Sequence, residues 1–379
     1  MLFLYLFVDH YPGHYSSFPA VKPLAARPYQ RVRIKERISM KAAVLRKYDA
    51  PLVIQEVDIP AIGPREVLIR VRACGLCGTD LKIASGKLPK IPLPHIPGHE
   101  IAGEVHKIGE QVTEFRVDDR VAVHFYVTCG KCRNCRAGMD SLCENLKGQI
   151  GFHLDGGLAE FVKVPASNVL RIGDSISFPQ AAILADAVAT PYNALKRQAE
   201  LRQDEVLVVV GAGGLGLHAI QIGKALGAKV IAVDVDDRHL EKAAELGAEL
   251  TLHPPRDNII EALREKSGGG GADVVIDLVG QPETLERDLE WLRPAGKLLV
   301  VGYSPTQTFS VSSLQMVLKG LRIIGCRAST RRDLAEVISW VEEKKILPLV
   351  EDILPLAKVN EAYARLRLGQ VISRVVIVP

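Results

Sequence analysis

The 379-residue chain has no apolar run approaching the roughly 20 residues that a membrane-spanning helix needs. It has no block of like charge either. Its 48 lysines and arginines stand against 44 acidic residues, for a net charge of +4. No basic arm is therefore available for nucleic acid or an anionic membrane, and neither is expected as a partner. No segment repeats at a fixed period, which excludes solenoids and propellers. Met1 to Val8 is apolar but lacks the basic flank and small-residue cleavage site of a secretory leader. Pro, Tyr and Arg follow without helical or strand period, and clean alternation begins at Met40. Residues 1–39 are thus expected to be a loose extension, with the working protein starting near Met40.

What is present is ordinary in bulk: 47% apolar and 24% charged, at a length that suits two domains. The seven cysteines are less ordinary. Four fall at 129, 132, 135 and 143, two at 74 and 77, and Cys326 stands apart. Without a secretory signal, this grouping suggests metal rather than disulfides and a cytoplasmic protein.

The stretch around which the chain is organised is Glu205 to Val210 followed by Gly211-Ala212-Gly213-Gly214-Leu215-Gly216. A continuous Val-rich run suits a strand buried on both faces of a parallel sheet. In the G-x-G-x-x-G that follows, Gly211 allows the tight turn, Gly213 lets a pyrophosphate reach the backbone, and Gly216 lets helix pack on strand. Residues 217–226 read as the helix whose N-terminus faces the phosphates. A second strand, 229–233, ends at Asp234, an acid placed to accept from both ribose hydroxyls and to repel a 2′-phosphate. That favours NAD over NADP; Arg238 nearby leaves NADP as the alternative.

From 41 to about 165, short alternating runs such as 67–73, 101–105 and 120–123 are punctuated by glycine and proline, which predicts a mostly-β domain. From about 188 to 327 strands and helices alternate, with strands at 206–210, 229–233, 273–278 and 297–301. This pattern predicts a doubly wound parallel sheet. Residues 331–346 read as an amphipathic helix and 371–378 as a closing strand. The fold class is α/β.

Cys129-x2-Cys132-x2-Cys135-x7-Cys143 offers four thiolates on one short loop, the donor set of a closed structural zinc site. Four free thiols, an iron–sulfur cluster and a zinc ribbon are the alternatives. A second group is Cys74-Gly75-Leu76-Cys77-Gly78-Thr79-Asp80 with Pro97-Gly98-His99-Glu100. Its thiolate, imidazole and carboxylate suit zinc, although spacing alone does not bring Cys77 to His99.

Cys77-Gly78-Thr79-Asp80, Gly98-His99-Glu100, the four-cysteine loop, residues 155–160 (Asp-Gly-Gly-Leu-Ala-Glu) and Gly211–Gly216 occur in the order seen in zinc-dependent medium-chain alcohol dehydrogenases, which the chain resembles over roughly 40–379. The resemblance implies a GroES-like β domain (40–187 plus 328–379) and a Rossmann domain (188–327). It implies a catalytic zinc on Cys77, His99 and Asp186, with Glu100 as an alternative ligand and an open fourth position. Zinc would lower the pKa of an alcohol, and the alkoxide carbon would pass hydride to NAD. Thr79 would take the substrate proton. Lys82 stands where many relatives carry a histidine, so it is the candidate outer base. Arg374 is the candidate phosphate contact, and Phe125 and Phe152 are candidates for the substrate pocket. Two zinc ions per chain, a small alcohol or carbonyl substrate, and a homodimer or homotetramer are expected. The rivals are a polyol or threonine dehydrogenase of the same fold and, more remotely, a non-catalytic dinucleotide-binding protein. Cys74, Cys326, Trp291 and Trp340 read as packing residues.

Overall fold

The computed structural model describes residues 38–379, apart from Pro89, Lys90 and Pro255. The extension expected at 1–39 lies outside the described residues except for its last two positions. Two sheets dominate. The first has seven strands and runs Asp352–Pro355, Val375–Val378, Glu66–Leu76, Glu100–Ile108, Arg120–Val123, Val169–Arg171, with Phe161–Pro165 also pairing with Glu66–Leu76. Its central strand, Glu66–Leu76, alternates buried and exposed residues from Ile69 to Ala73 and buries every residue from Ala73 to Leu76. The change marks where the strand leaves a half-solvated face and enters the site.

The second sheet has six parallel strands in the order Leu250–Leu252, Lys229–Val233, Val206–Val210, Ala272–Asp277, Leu292–Val300, Arg322–Gly325. All five residues of Val206–Val210 are buried, as a strand covered by helices on both faces requires. Numbered by sequence this order is 3-2-1-4-5-6, the doubly wound arrangement predicted from strand–helix alternation. Strand order reverses between Val206–Val210 and Ala272–Asp277, and that is where such sheets open a crevice.

Element ends differ from the sequence reading by a few residues. The helix predicted over 331–346 stops at Glu342, and the strand predicted from 371 begins at Val375. The helix Val359–Arg367 carries an apolar face that the sequence reading did not use.

Candidate active site

Register in the first sheet assembles most of the site. Gly75 pairs with Glu100, and Leu76 pairs with Val375. Cys77 therefore leaves the end of one strand while His99 and Glu100 enter its neighbour on one side and Arg374 precedes its neighbour on the other. Gly75 has a steric reason to be glycine: a Cβ there would lie 2.0 Å from Glu100 Oε2. Asp186 arrives on the connecting segment after a short helix, Phe178–Ala182.

The ligand atoms of Cys77, His99, Glu100 and Asp186 all lie within 4.8 Å of one another, and all four residues are buried. Cys77 Sγ is 3.5 Å from His99 Nε2, and Asp186 Oδ2 is 3.7 Å from the same nitrogen. Each ligand atom is aimed by a neighbour. Asp80 Oδ2 accepts from Cys77 N at 2.9 Å, while its Oδ1 lies 3.5 Å from His99 Nδ1. Thr190 donates to Asp186 Oδ1 at 2.7 Å, leaving Oδ2 turned inward. The Thr79 amide donates to Cys77 Sγ at 3.2 Å. Supporting contacts of this kind orient the donors of a metal centre.

The electrostatics favour a cation. Burial lowers the His99 pKa, but Asp80, Cys77 and Asp186 together carry it well above the usual imidazole value. Burial raises Glu100 against the pull of Arg374, to about 7. Glu100 Oε2 and Arg374 Nη2 are buried without hydrogen-bond partners among the described residues. Thiolate, imidazole and carboxylates in one water-poor cluster form the donor set of a zinc site with an open position, so the residues fit the metal.

Arg374 is buried beneath this cluster. Its Nε donates to Glu100 Oε1 at 3.0 Å, and its Nη2 lies 3.5 Å from Asp186 Oδ2. A Cβ on Gly214 would meet Arg374 Nη1 at 1.9 Å, so the same guanidinium touches the glycine loop. The residue expected at a phosphate is thus tied first to the carboxylates of the site.

The four-cysteine loop closes on itself. Sγ–Sγ distances are 3.5 Å for Cys132–Cys135 and 4.0 Å for both Cys129–Cys135 and Cys132–Cys143. A tetrahedral site with Zn–S bonds of about 2.3 Å sets sulfurs about 3.8 Å apart. Backbone amides of Lys131 and Cys132 lower the Cys129 pKa to about 6, whereas burial and neighbouring thiols push Cys135 to about 12. Four thiolates cannot share this space without a cation, and the geometry fits one.

At the crevice of the second sheet, Gly211 has φ +89°, and a Cβ on Gly216 would lie 1.9 Å from Gly211 O. Nothing lies within 4 Å of a Cβ on Gly213. The helix Gly216–Ala225 has no side-chain N-cap, so the positive end of its dipole faces the crevice without a carboxylate or hydroxyl of its own on it. Asp234 accepts from Ala212 N at 2.6 Å and from Asp236 N at 2.9 Å, and His239 Nδ1 lies 3.2 Å from it. Arg238 is paired with Asp236, which occupies the cation that a 2′-phosphate would use.

A cavity of about 740 Å³ joins the two regions. Cys77, Thr79 and His99 line one side, and Leu215 and Leu278 line the other. The Phe125 and Phe152 rings sit 5.2 and 5.0 Å from the His99 ring, so both reach the cavity wall. Lys82 Nζ donates to Tyr303 O at 2.9 Å across the opening. Asp80, Thr190, His239 and Arg327 entered the sequence reading without a role. Only Asp80 had a local signal, its three-residue offset from Cys77, which is the spacing of a capping box. Cys74 is buried as expected, and Cys326 is buried at the cavity wall.

Residues 63–174 match the family model described as the alcohol dehydrogenase GroES-like domain, and residues 214–343 match the one described as zinc-binding dehydrogenase. An alcohol dehydrogenase of Geobacillus stearothermophilus is 39% identical over 89% of this chain and 99% of its own. An L-threonine 3-dehydrogenase of Caldanaerobacter subterraneus is 34% identical over 84% of this chain and 90% of its own. Among solved structures, the alcohol dehydrogenase of Aeropyrum pernix superposes with a TM-score of 0.83 at 33% identity, covering 89% of this chain and all of its own. The sheets, the two cysteine-bearing sites and these relatives agree: the chain belongs to the zinc-dependent medium-chain alcohol dehydrogenase family.

Proposed function

We propose that the protein interconverts an alcohol and an aldehyde or ketone, using NAD(H) and a catalytic zinc held by Cys77, His99 and Asp186. One observation carries the reading. The Cys77–His99–Glu100–Asp186 cluster forms part of a cavity whose opposite wall comes from the crevice of the doubly wound sheet. A reacting carbon held at the cluster would therefore face a coenzyme in that crevice.

Zinc, when bound, supplies a Lewis acid that lowers the pKa of an alcohol, and NAD supplies the hydride acceptor. The chain's own residues do the rest. Cys77, His99 and Asp186 would hold the metal, and Glu100, whose carboxylate lies within 4.8 Å of their donor atoms, would be available as an alternative ligand. Thr79 lines the cavity two residues past Cys77, and its hydroxyl takes the substrate proton. Burial lowers the Lys82 pKa, which suits it to pass that proton outward. Phe125 and Phe152 exclude water from the reacting carbon. Gly211, Gly213, Gly214, Leu215 and Gly216 seat the pyrophosphate. Asp234 holds the ribose and sets the preference for NAD, and Arg374 approaches the pyrophosphate through Gly214.

Cys129, Cys132, Cys135 and Cys143 hold a second, structural zinc. We assign 40–187 with 328–379 to the GroES-like domain and 188–327 to the Rossmann domain. A cytoplasmic setting accords with seven cysteines that form no disulfide among the described residues. The working form is a homodimer or homotetramer; the edge strand Arg322–Gly325 and the exposed Leu314, Val317 and Leu318 are candidate contacts between copies. Steady-state oxidation of an alcohol panel with NAD by the zinc-loaded protein tests the activity. Absence of NADH formation with every alcohol, polyol and threonine tried would overturn it.

A further inference from the structure

The cavity's charge is one-sided. Asp186 is the sole carboxylate lining it among the described residues, and Arg374 and His99 already face that group. Against it the lining contains the cations Lys82 and Arg327; His153 also lines it, but burial and the nearby His95 and Arg327 lower its pKa and keep it neutral. Lys82 is engaged by the Tyr303 carbonyl and ring. Arg327 has no acidic partner among the described residues. Its guanidinium carbon instead lies 5.2 Å from the centroid of the Tyr126 ring. Tyr126 is buried and packs 4.7 Å from Phe125, which in turn edges the His99 ring. A line of rings along the cavity wall therefore runs from the metal cluster to the guanidinium.

The backbone at Arg327 is held in place. Ala328, next in sequence, has φ +44°, a left-handed conformation that is strained for an L-residue with a Cβ. Asn193 Nδ2 fixes its carbonyl at 2.7 Å, and His124 Nε2 lies 3.1 Å from the carbonyl of Ser329. Arg327 is itself exposed where it lines the cavity, and the chain is held on either side of it, by Cys326 N donating to Val300 O before it and by the bonds at Ala328 and Ser329 after it. A backbone held in this way is a reasonable way to keep a guanidinium at one point of a cavity.

We infer that Arg327 recognises a carboxylate on the substrate, so that the cavity takes an alcohol or carbonyl compound whose far end is anionic. The inference rests on the dehydrogenase reading above. In the reaction the carbinol carbon loses a hydride to NAD, its hydroxyl loses a proton, and the carboxylate is unchanged. Arginine meets carboxylate by paired, charge-assisted hydrogen bonds, which discriminate strongly against a neutral isostere. The ring path between His99 and Arg327 separates the two ends of the substrate, which points to an ω-hydroxy acid rather than a 2-hydroxy acid.

The test uses a series of ω-hydroxyalkanoates of increasing length, each against its own amide, with zinc-loaded enzyme and NAD. At the best length the carboxylate should exceed the amide in kcat/KM by on the order of tenfold to a hundredfold. Arg327→Leu should bring that ratio close to one, and Arg327→Lys should restore part of it. Equal use of carboxylate and amide by the wild type would overturn the inference and leave the dehydrogenase reading standing. A loss in Arg327→Leu that falls on KM for NAD would also overturn it, by giving the residue to the coenzyme. If no member of the series turns over, ω-hydroxyhexanoate is titrated into the enzyme–NADH complex and followed by nicotinamide fluorescence. Binding weakened by Arg327→Leu supports the inference, and no binding overturns it. Failure of the dehydrogenase reading has a separate mark, which is no NADH from any alcohol.

Discussion

Arg374 Nε lies 3.0 Å from Glu100 Oε1, although 274 positions separate the two residues in sequence. Both are buried. The strand Val375–Val378 pairs antiparallel with Glu66–Leu76, and this return of the chain end brings Arg374 under the site. Removing the cation leaves Glu100 and Asp186 buried without it. Arg374→Ala should therefore cost about 3–5 kcal/mol of stability. Urea unfolding measures this, and a variant as stable as the wild type would remove Arg374 from its bracing role.

Cys77→Ser should reduce turnover by about three orders of magnitude or more, because several kcal/mol of charge stabilisation are lost with the metal. NADH binding should persist, since the glycine loop lies on the other sheet. Wild-type turnover in a variant with one metal fewer would contradict the assignment of Cys77.

Cys135→Ala should release one metal per chain and loosen residues 129–143. The cavity cluster lies on other elements, so initial turnover should fall less than thermal half-life. Metal analysis with inactivation kinetics measures both. Full metal content in Cys135→Ala would show that the loop does not bind metal as a four-thiolate site.

Much of this was legible in the sequence, for reasons of range. The Val-rich strand, glycine loop and four-cysteine loop each declare themselves within about twenty residues, because their physics is local. Asp80 could have been assigned from its capping offset to Cys77. The Glu100–Arg374 pair could not, because it depends on the register of three strands far apart in sequence. Arg327 was hidden for a related reason: nothing in Gly325-Cys326-Arg327-Ala328 shows that Ala328 takes a positive φ or that Asn193 pins it. Asp186 was reached through the family resemblance, since a lone aspartate in an apolar helical stretch carries no spacing signal.

His218 links the glycine loop to the first sheet's connecting segment. Its Nδ1 donates to Gly214 O at 2.7 Å, and its Nε2 accepts from Leu349 N at 3.0 Å, which requires the neutral ring. Burial lowers its pKa from 6.5 to about 4. Between those values the unfolded chain binds a proton that the folded chain does not. Stability should thus fall by about 1.4 kcal/mol per pH unit as pH drops from about 6.5 to about 4, and be fully present above that window. His218→Gln should flatten this part of a stability–pH curve. An unchanged slope would show that His218 is not the group responsible.

Asp234→Gly should shift coenzyme preference toward NADP by roughly tenfold, since it removes a carboxylate that repels the 2′-phosphate. Arg238 would then be the nearest guanidinium, freed further by Asp236→Ser. The ratio of kcat/KM for NAD and NADP measures the shift. A ratio that does not move would place the ribose elsewhere.

The most direct test of the whole account is zinc content per chain measured beside NAD-dependent alcohol oxidation on the same preparation. The account predicts about two zinc ions per chain with NADH formed from an alcohol, one ion being lost with activity in Cys77→Ser. About one zinc ion and no turnover, unchanged when zinc is added back, would contradict it.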